Sequence, residues 1–273
     1  MLFSLNYSTE MAELIHEGAI QVDRVKCPDW PEMIAQGRAV GPVYVHFPLL
    51  AGQGLIPTER LEAVARLREE TDTPYVNTHI APRISDLRDA QDPEAVYDAV
   101  MRDVMQLVDY FGAEAVIAEN IPYPEGPNRE PKPLLASDAG VIRRVIEDSG
   151  VGLLLDIGHA RRVAEHLAID PRRYMAELPG TRLREVHITG LGYTPEGHRT
   201  DHMPMRDEDW ELLAWVLDHV HSGRWAAPWS VSCEYGGVGQ PFKWRSRKDV
   251  IAHEAPRMLE MVRAALPAAR GTL

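Results

Sequence analysis

Eight short apolar or β-branched runs alternate with helical patterns along the chain, and this alternation limits the fold more than any other feature. The runs are Leu2–Tyr7, Gln21–Cys27, Val43–Phe47, Tyr75–Ile80, Ala115–Ile121, Gly152–Ile157, Arg184–Thr189 and Trp229–Tyr235. Continuously apolar stretches such as Val151-Gly152-Leu153-Leu154-Leu155 suit parallel strands covered on both faces. Between the runs, Val96, Val100, Val104, Leu107, Val108 and Phe111 share one helical face. Asp92-Pro93 supplies the cap and the first-turn proline of that helix. Trp210, Leu213, Leu217 and Val220 repeat the pattern, as do Ile251, Ala255, Met258, Val262 and Leu266. Asp170-Pro171 marks another helix start, and a short helix is expected over Asp29–Gly37. Strands separated by helices in this number predict one α/β domain over residues 1–273, a single (β/α)₈ TIM barrel. An open doubly wound sheet competes, but no glycine-rich phosphate loop follows the first strand.

Such barrels commonly reach 273 residues as one domain, and 45% hydrophobic residues allow a large core. No apolar run approaches the ~18 residues that span a bilayer, so no membrane partner is expected. The first residues lack the basic start and apolar stretch of a signal peptide. Cys27 and Cys233 are too few for a disulfide framework, and both fall in strands as small hydrophobes. A reducing cytoplasm is therefore the expected location. The formal charge of −12 speaks against a broad nucleic-acid surface, although bound metal ions would add positive charge locally.

Polar residues recur at one place, the C-terminal ends of the strands. His46 ends the third run and His79 the fourth; Glu119-Asn120 ends the fifth, and Asp156 and His159 follow the sixth. His187 ends the seventh, Glu234-Tyr235 the eighth, and Asp201-His202 lies in the loop after the seventh. In a parallel barrel these ends meet at one mouth. Singly, a histidine or glutamate there is more often a satisfied polar residue than a ligand. So many at one end argue for a shared metal site. Imidazole with carboxylate suits a divalent Zn, Mn, Fe or Co ion. Crowded carboxylates would also repel one another without cations. His16, His166, His219, His221 and His253 fall on helices and are read as surface or packing residues. His198 shares the loop of His202 and is ambiguous.

The order of these residues resembles the xylose-isomerase-like barrel superfamily, which includes sugar isomerases, sugar epimerases and endonuclease IV. In the isomerase and epimerase branch, Glu119, Asp156, His187 and Glu234 match the set that holds one divalent metal. The resemblance implies that Glu119 and Glu234 also shuttle a proton beside the carbonyl, with His79 and His159 touching the substrate. The trinuclear zinc set of endonuclease IV is matched by His46, His79, Glu119, Asp156, His159, His187, His202 and Glu234. That family's Asp-x-His motif is absent: Thr200 stands two before His202, with Asp201 adjacent instead. The segment after Glu119 also departs, reading Asn120-Ile121-Pro122-Tyr123-Pro124. A third resemblance is to multinuclear-iron barrels that modify cysteines in peptides, with which Glu119-Asn120 and the many histidines are compatible.

The favoured expectation is an enzyme that isomerises or epimerises a small sugar or sugar phosphate with one to three ions. Tyr123, Tyr235 and Trp244, with Trp30, Phe47, Tyr193 and Phe242, are candidates to line its pocket. Phosphodiester hydrolysis is the alternative and would use Lys243, Arg245, Arg247 and Lys248 to hold phosphates, though such a run is usually a solvated surface. A peptide-modifying iron oxidase and a non-catalytic metal- or ligand-binding barrel stand further off. A homodimer is one assembly that the resemblance allows.

Overall fold

The computed structural model describes residues 1–124, 130–237 and 245–265. The principal strands are β1 (Leu2–Asn6), β2 (Arg24–Pro28), β3 (Val43–His46), β4 (Leu50–Ala51), β5 (Val76–Ile80), β6 (Val116–Glu119), β7 (Gly152–Asp156) and β8 (Leu183–Ile188). A hairpin of β9 (Gly190–Tyr193) and β10 (Arg199–Met203) precedes β11 (Ser230–Cys233). The helices are α1 (Thr9–His16), α2 (Pro31–Arg38), α3 (Thr58–Glu70), α4 (Pro93–Phe111), α5 (Ala139–Ser149), α6 (Ile157–Leu167), α7 (Pro171–Ala176), α8 (Asp207–His221) and α9 (Lys248–Ala264). All eight expected strands form, and the short helix expected over Asp29–Gly37 is α2. The β9–β10 hairpin was not anticipated. Leu266 lies outside the described residues.

One nine-stranded sheet runs β3-β2-β1-β11-β8-β7-β6-β5-β4, with every recorded pairing parallel. Its two ends, β3 and β4, are separated in the chain only by Phe47, Pro48 and Leu49. Side chains stitch the seam there. Asn77 of β5 accepts from Phe47 N (2.7 Å) and donates to Phe47 O (2.9 Å), while Thr73 Oγ1 accepts from Val45 N (2.9 Å). Helices cover the sheet because their apolar stripes need burial: Val96, Val100, Val104 and Leu107 of α4 are fully buried, as are Leu213 and Val216 of α8. Asp92, Asp138, Asp156 and Asp170 each cap a helix start with a carboxylate oxygen. Cys27 and Cys233 are free and buried, and burial pushes the Cys27 thiol up to about 12. Among the described residues, no helix is long and apolar enough to cross a membrane.

Candidate metal centre

Strand alternation and register bring the polar residues together. His79 is the cross-strand partner of Glu119, and Asp156 that of His187, so each pair projects side by side from one face. His46 ends β3, and Glu234 follows β11 directly. Asp156 ends β7 and also caps α6: its Oδ1 accepts from His159 N (2.7 Å), which carries His159 into the same space. Asn120 fixes this corner. Its side chain exchanges two bonds of 2.9 Å with the backbone of Asp156, and its carbonyl accepts from His159 Nδ1 (2.8 Å).

The imidazole rings are oriented as ligands require. His79 Nδ1 donates to Leu49 O (3.1 Å), His159 Nδ1 to Asn120 O, and His202 Nδ1 to Glu234 O (2.6 Å). Each bond leaves Nε2 facing carboxylates, the arrangement that fixes the tautomer of a metal-bound histidine. His79 Nε2 lies 3.1 Å from Glu119 Oε2, and His46 Nε2 lies 3.6 Å from the same oxygen. His159 Nε2 lies 3.7 Å from Asp156 Oδ2 and 3.6 Å from Asp201 Oδ2. His187 is turned the other way. Its Nε2 donates to Glu185 (2.9 Å), which leaves Nδ1 3.2 Å from Glu234 and 3.7 Å from Glu119. Glu185 accepts in turn from Tyr44 Oη (2.9 Å), deeper inside the sheet.

Among the described residues, three groups of donor atoms lie within 4.8 Å of one another: His46, Glu119 and His187; Glu119, Asp156 and His159; Asp156, His187 and Glu234. Each of the residues Glu119, Asp156 and His187 belongs to two of these groups. Glu119 Oε2 and Asp156 Oδ2 are buried and have no hydrogen-bond partner among the described residues. A buried carboxylate oxygen without a donor is costly, and a cation relieves it. The electrostatics agree. Burial, reinforced by Glu234 and Glu119, pushes Asp156 up to about 7. Burial and the nearby Lys26 charge would lower His187, but Glu234 and the bonds to Glu119 and Glu185 raise it to about 10. His159 rises to about 10 for a like reason: Asp156 and Asp201 outweigh its burial. Protons are thus held where carboxylates crowd. This donor set, mixed imidazole and carboxylate with orphaned oxygens, fits divalent metal.

The β9–β10 hairpin supplies two further donors. Successive strand residues normally point to opposite faces. Here the pairing register shifts between Thr200 and Met203, and His202 takes φ +57°. Both Asp201 and His202 consequently reach the site, with Asp201 Oδ1 3.7 Å from His202 Nε2. The adjacent Asp-His pair does here what an Asp-x-His spacing does on a regular strand. Burial would raise Asp201, but His159, His202 and Arg162 hold it well below the usual carboxylate range.

Lys26, which the sequence reading passed over, reaches the same place from β2. It is 3% exposed, donates to Glu234 Oε1, and lies 2.9 and 3.3 Å from the two ring nitrogens of His187. Glu185, Tyr44 and Lys26 had one usable signal. Glu185 stands two residues before His187 and Tyr44 two before His46, on the same strand faces, and Lys26 projects inward between the buried Val25 and Cys27.

Above the donors lies a cavity of about 1170 Å³, lined by Lys26, His46, His79, Glu119, His159, Asp201, His202 and Glu234, and farther out by Trp30, Leu50 and Arg162. Four aromatic residues expected in the pocket, Phe47, Tyr123, Tyr193 and Tyr235, are not part of its lining. Tyr123 packs edge-on against His166, with ring centroids 4.7 Å apart. Tyr235 is buried at 2%, and its hydroxyl accepts from Arg247 N (3.2 Å). Phe47 is wholly buried, while Trp244, Phe242 and Lys243 lie outside the described residues. Among the described residues of the basic run, Arg247 pairs with Asp249, Lys248 with Glu13 and Glu17, and Arg245 donates to Asp201 O. His198 is exposed at the hairpin turn.

Several solved structures share the fold. D-psicose 3-epimerase from Clostridium cellulolyticum H10 superposes with a TM-score of 0.57 at 14% identity, covering 98% of this chain and 100% of that one. The IOLI protein with a binding zinc atom gives 0.63 at 12%, covering 98% and 100%. Mannonate dehydratase from Streptococcus suis serotype 2 gives 0.61 at 12%, covering 100% and 99%. At such identity the likeness is one of fold alone. No curated protein sequence matches the chain. The sequence model of one family, described as RiPP precursor modification enzyme MbnB/TglH/ChrH, matches residues 28–225. That match takes in β3 to β8, the hairpin and every candidate donor except Lys26 and Glu234, and the chain belongs to that family of peptide-precursor-modifying enzymes.

Proposed function

We propose that this protein is a multinuclear metal enzyme that modifies a residue, by the resemblance a cysteine, of a ribosomally made precursor peptide. The observation that carries the reading is the surplus of oriented donors. A single ion of the isomerase kind needs Glu119, Asp156, His187 and Glu234. Yet His79, His159 and His202 are also held by backbone carbonyls with Nε2 turned toward carboxylates. Hydrogen bonds of that kind serve ligands, and a pocket for a small sugar has no need of so many. His46, His79 and Glu119 would hold one ion, and Asp156, His159, Asp201 and His202 another. Bound there, the ions would supply Lewis acidity and, as iron, redox chemistry.

The cavity supports a peptide substrate. Its volume of about 1170 Å³ exceeds the usual range for small-molecule sites of roughly 300–1,000 Å³. Trp30 and Leu50 stand at the rim, 53% and 39% exposed, where they offer apolar contacts to a side chain on either side of the reacting residue. The family membership supports the same substrate class over the sugar favoured from sequence. We also read the sheet as a closed eight-stranded barrel in which β3 and β4 together form one interrupted strand.

The test is co-expression, with iron supplied, alongside a library of short cysteine-containing peptides, followed by intact-mass analysis of each peptide. A defined mass change that is lost in Glu119→Gln supports the reading. Unchanged peptides, with conversion of a ketose or sugar phosphate by the same preparation, would return the protein to the epimerase class.

A further inference from the structure

Two of the orphaned carboxylate oxygens mark where cations are needed. Glu119 Oε2 faces His46 and His79, and Asp156 Oδ2 faces His159. At the corner where His187 and Glu234 meet Asp156, the Glu234 carboxylate is not left open. Glu234 Oε1, the atom nearest His187 Nδ1, already accepts from the Lys26 ammonium. That ammonium is built in. Lys26 is 3% exposed on β2, and its nitrogen lies 2.9 and 3.3 Å from the ring nitrogens of His187. A divalent ion bound to His187 Nδ1 and Glu234 Oε1 would share that oxygen with a lysine cation a few ångströms away, and like charges at such range repel strongly.

We infer that the Lys26 ammonium takes the cation position of the Glu119, Asp156, His187 and Glu234 set, so that this chain loads metal only at the two flanking positions. The inference rests on the metal-centre reading above and deepens it. Lysine suits the task because its ammonium is a compact point charge with three donors. It would neutralise Glu234 and hold His187 beside Glu119 without offering an open coordination position. The chain would then bind two ions per molecule, both on the cavity side of Glu119.

The test is anomalous diffraction at the iron or zinc edge, with elemental analysis, on wild type, Lys26→Met and Lys26→Arg loaded under identical conditions. Two ions in wild type, none within bonding distance of His187 Nδ1 and Glu234, is the expected result. Lys26→Met should gain a third ion at that corner, while Lys26→Arg, which keeps the charge, should stay at two. Wild-type anomalous density at the His187–Glu234 corner would overturn the inference, whatever the variants do. So would a Lys26→Met protein that keeps its two flanking ions and gains none. A wild-type protein that binds no metal at any position would instead sink the metal-centre reading itself.

Discussion

Replacing Asn77 with alanine should open the seam on which half the centre depends. Between β3 and β5 the backbone ladder is interrupted, and the Asn77 side chain serves both the amide and the carbonyl of Phe47, a residue with no solvent exposure. Alanine leaves both groups buried and unpaired. Each orphaned backbone group costs about 1–3 kcal/mol, so Asn77→Ala should lower stability by about 3 kcal/mol or more, a shift of roughly 150-fold in the unfolding equilibrium. Thr73→Val is the internal comparison. It keeps side-chain shape, strands Val45 N and removes one bond to Thr71 Oγ1, which keeps its bond to Leu67 O, so its cost should be about 1–2 kcal/mol. Urea unfolding followed by far-ultraviolet circular dichroism, on chelated protein, separates this effect from metal binding. An Asn77→Ala cost below about 0.5 kcal/mol would refute the reasoning, because buried backbone groups cannot go unpaired so cheaply. A Thr73→Val cost equal to it would refute the proposed division of labour.

Two other outcomes follow from the groups around the centre. Glu185→Gln should lower stability by about 1–3 kcal/mol in urea unfolding of chelated protein, because the Glu185 carboxylate accepts from both His187 Nε2 and Tyr44 Oη inside the sheet; unchanged stability would remove it from that role. Glu254 is 5% exposed; its Oε1 accepts from Met205 N (2.7 Å), Oε2 has no partner among the described residues, and burial pushes its carboxyl up to about 7. A folded-state value above the ordinary 4.5 means that its contribution is fully present below about pH 4.5 and is lost as pH rises through 7. Glu254→Gln should therefore reduce the fall in stability between pH 5 and pH 8 by about 2–3 kcal/mol, and identical pH profiles would contradict that assignment.

The fold was legible because parallel strands write themselves as short apolar runs, and these runs kept their places to within a few residues. The candidate donors were legible for a related reason: His46, His79, Glu119, Asp156 and His187 each end a strand, and strand ends in a parallel sheet converge. Lys26 escaped because it belongs to Arg24–Pro28, a strand with no other polar residue reaching the centre, and a lone lysine ordinarily reads as solvated. Tyr123 and Tyr235 were misplaced because sequence position gives the loop and not the side-chain direction. Both follow a donor strand, yet one turns onto His166 and the other into the core. The hairpin was hidden by its composition. Gly190-Leu191-Gly192-Tyr193 and Arg199-Thr200-Asp201-His202-Met203 lack a clean apolar alternation, and they pair with a shifted register.

That hairpin carries a cost that can be measured. His202 sits at φ +57°, a left-handed conformation that costs a side-chain-bearing residue about 1–2 kcal/mol, and it persists only where surrounding structure enforces it. The ring repays the backbone through its bond to Glu234 O and its place beside Asp201. His202→Ala and His202→Gly both delete the ring and its hydrogen bond, so they differ only in what the backbone tolerates. In ordinary strand or helix interiors glycine is less stable than alanine by about 0.5–1 kcal/mol. At this position the order should invert, with His202→Gly more stable than His202→Ala by about 1 kcal/mol in metal-free protein, since glycine adopts positive φ freely. Both variants should lose the ion shared with His159 and Asp201. If alanine proves as stable as glycine, the hairpin relaxes once the ring is gone. The left-handed turn would then be a product of the His202 contacts and not a fixed feature of the strand that delivers Asp201.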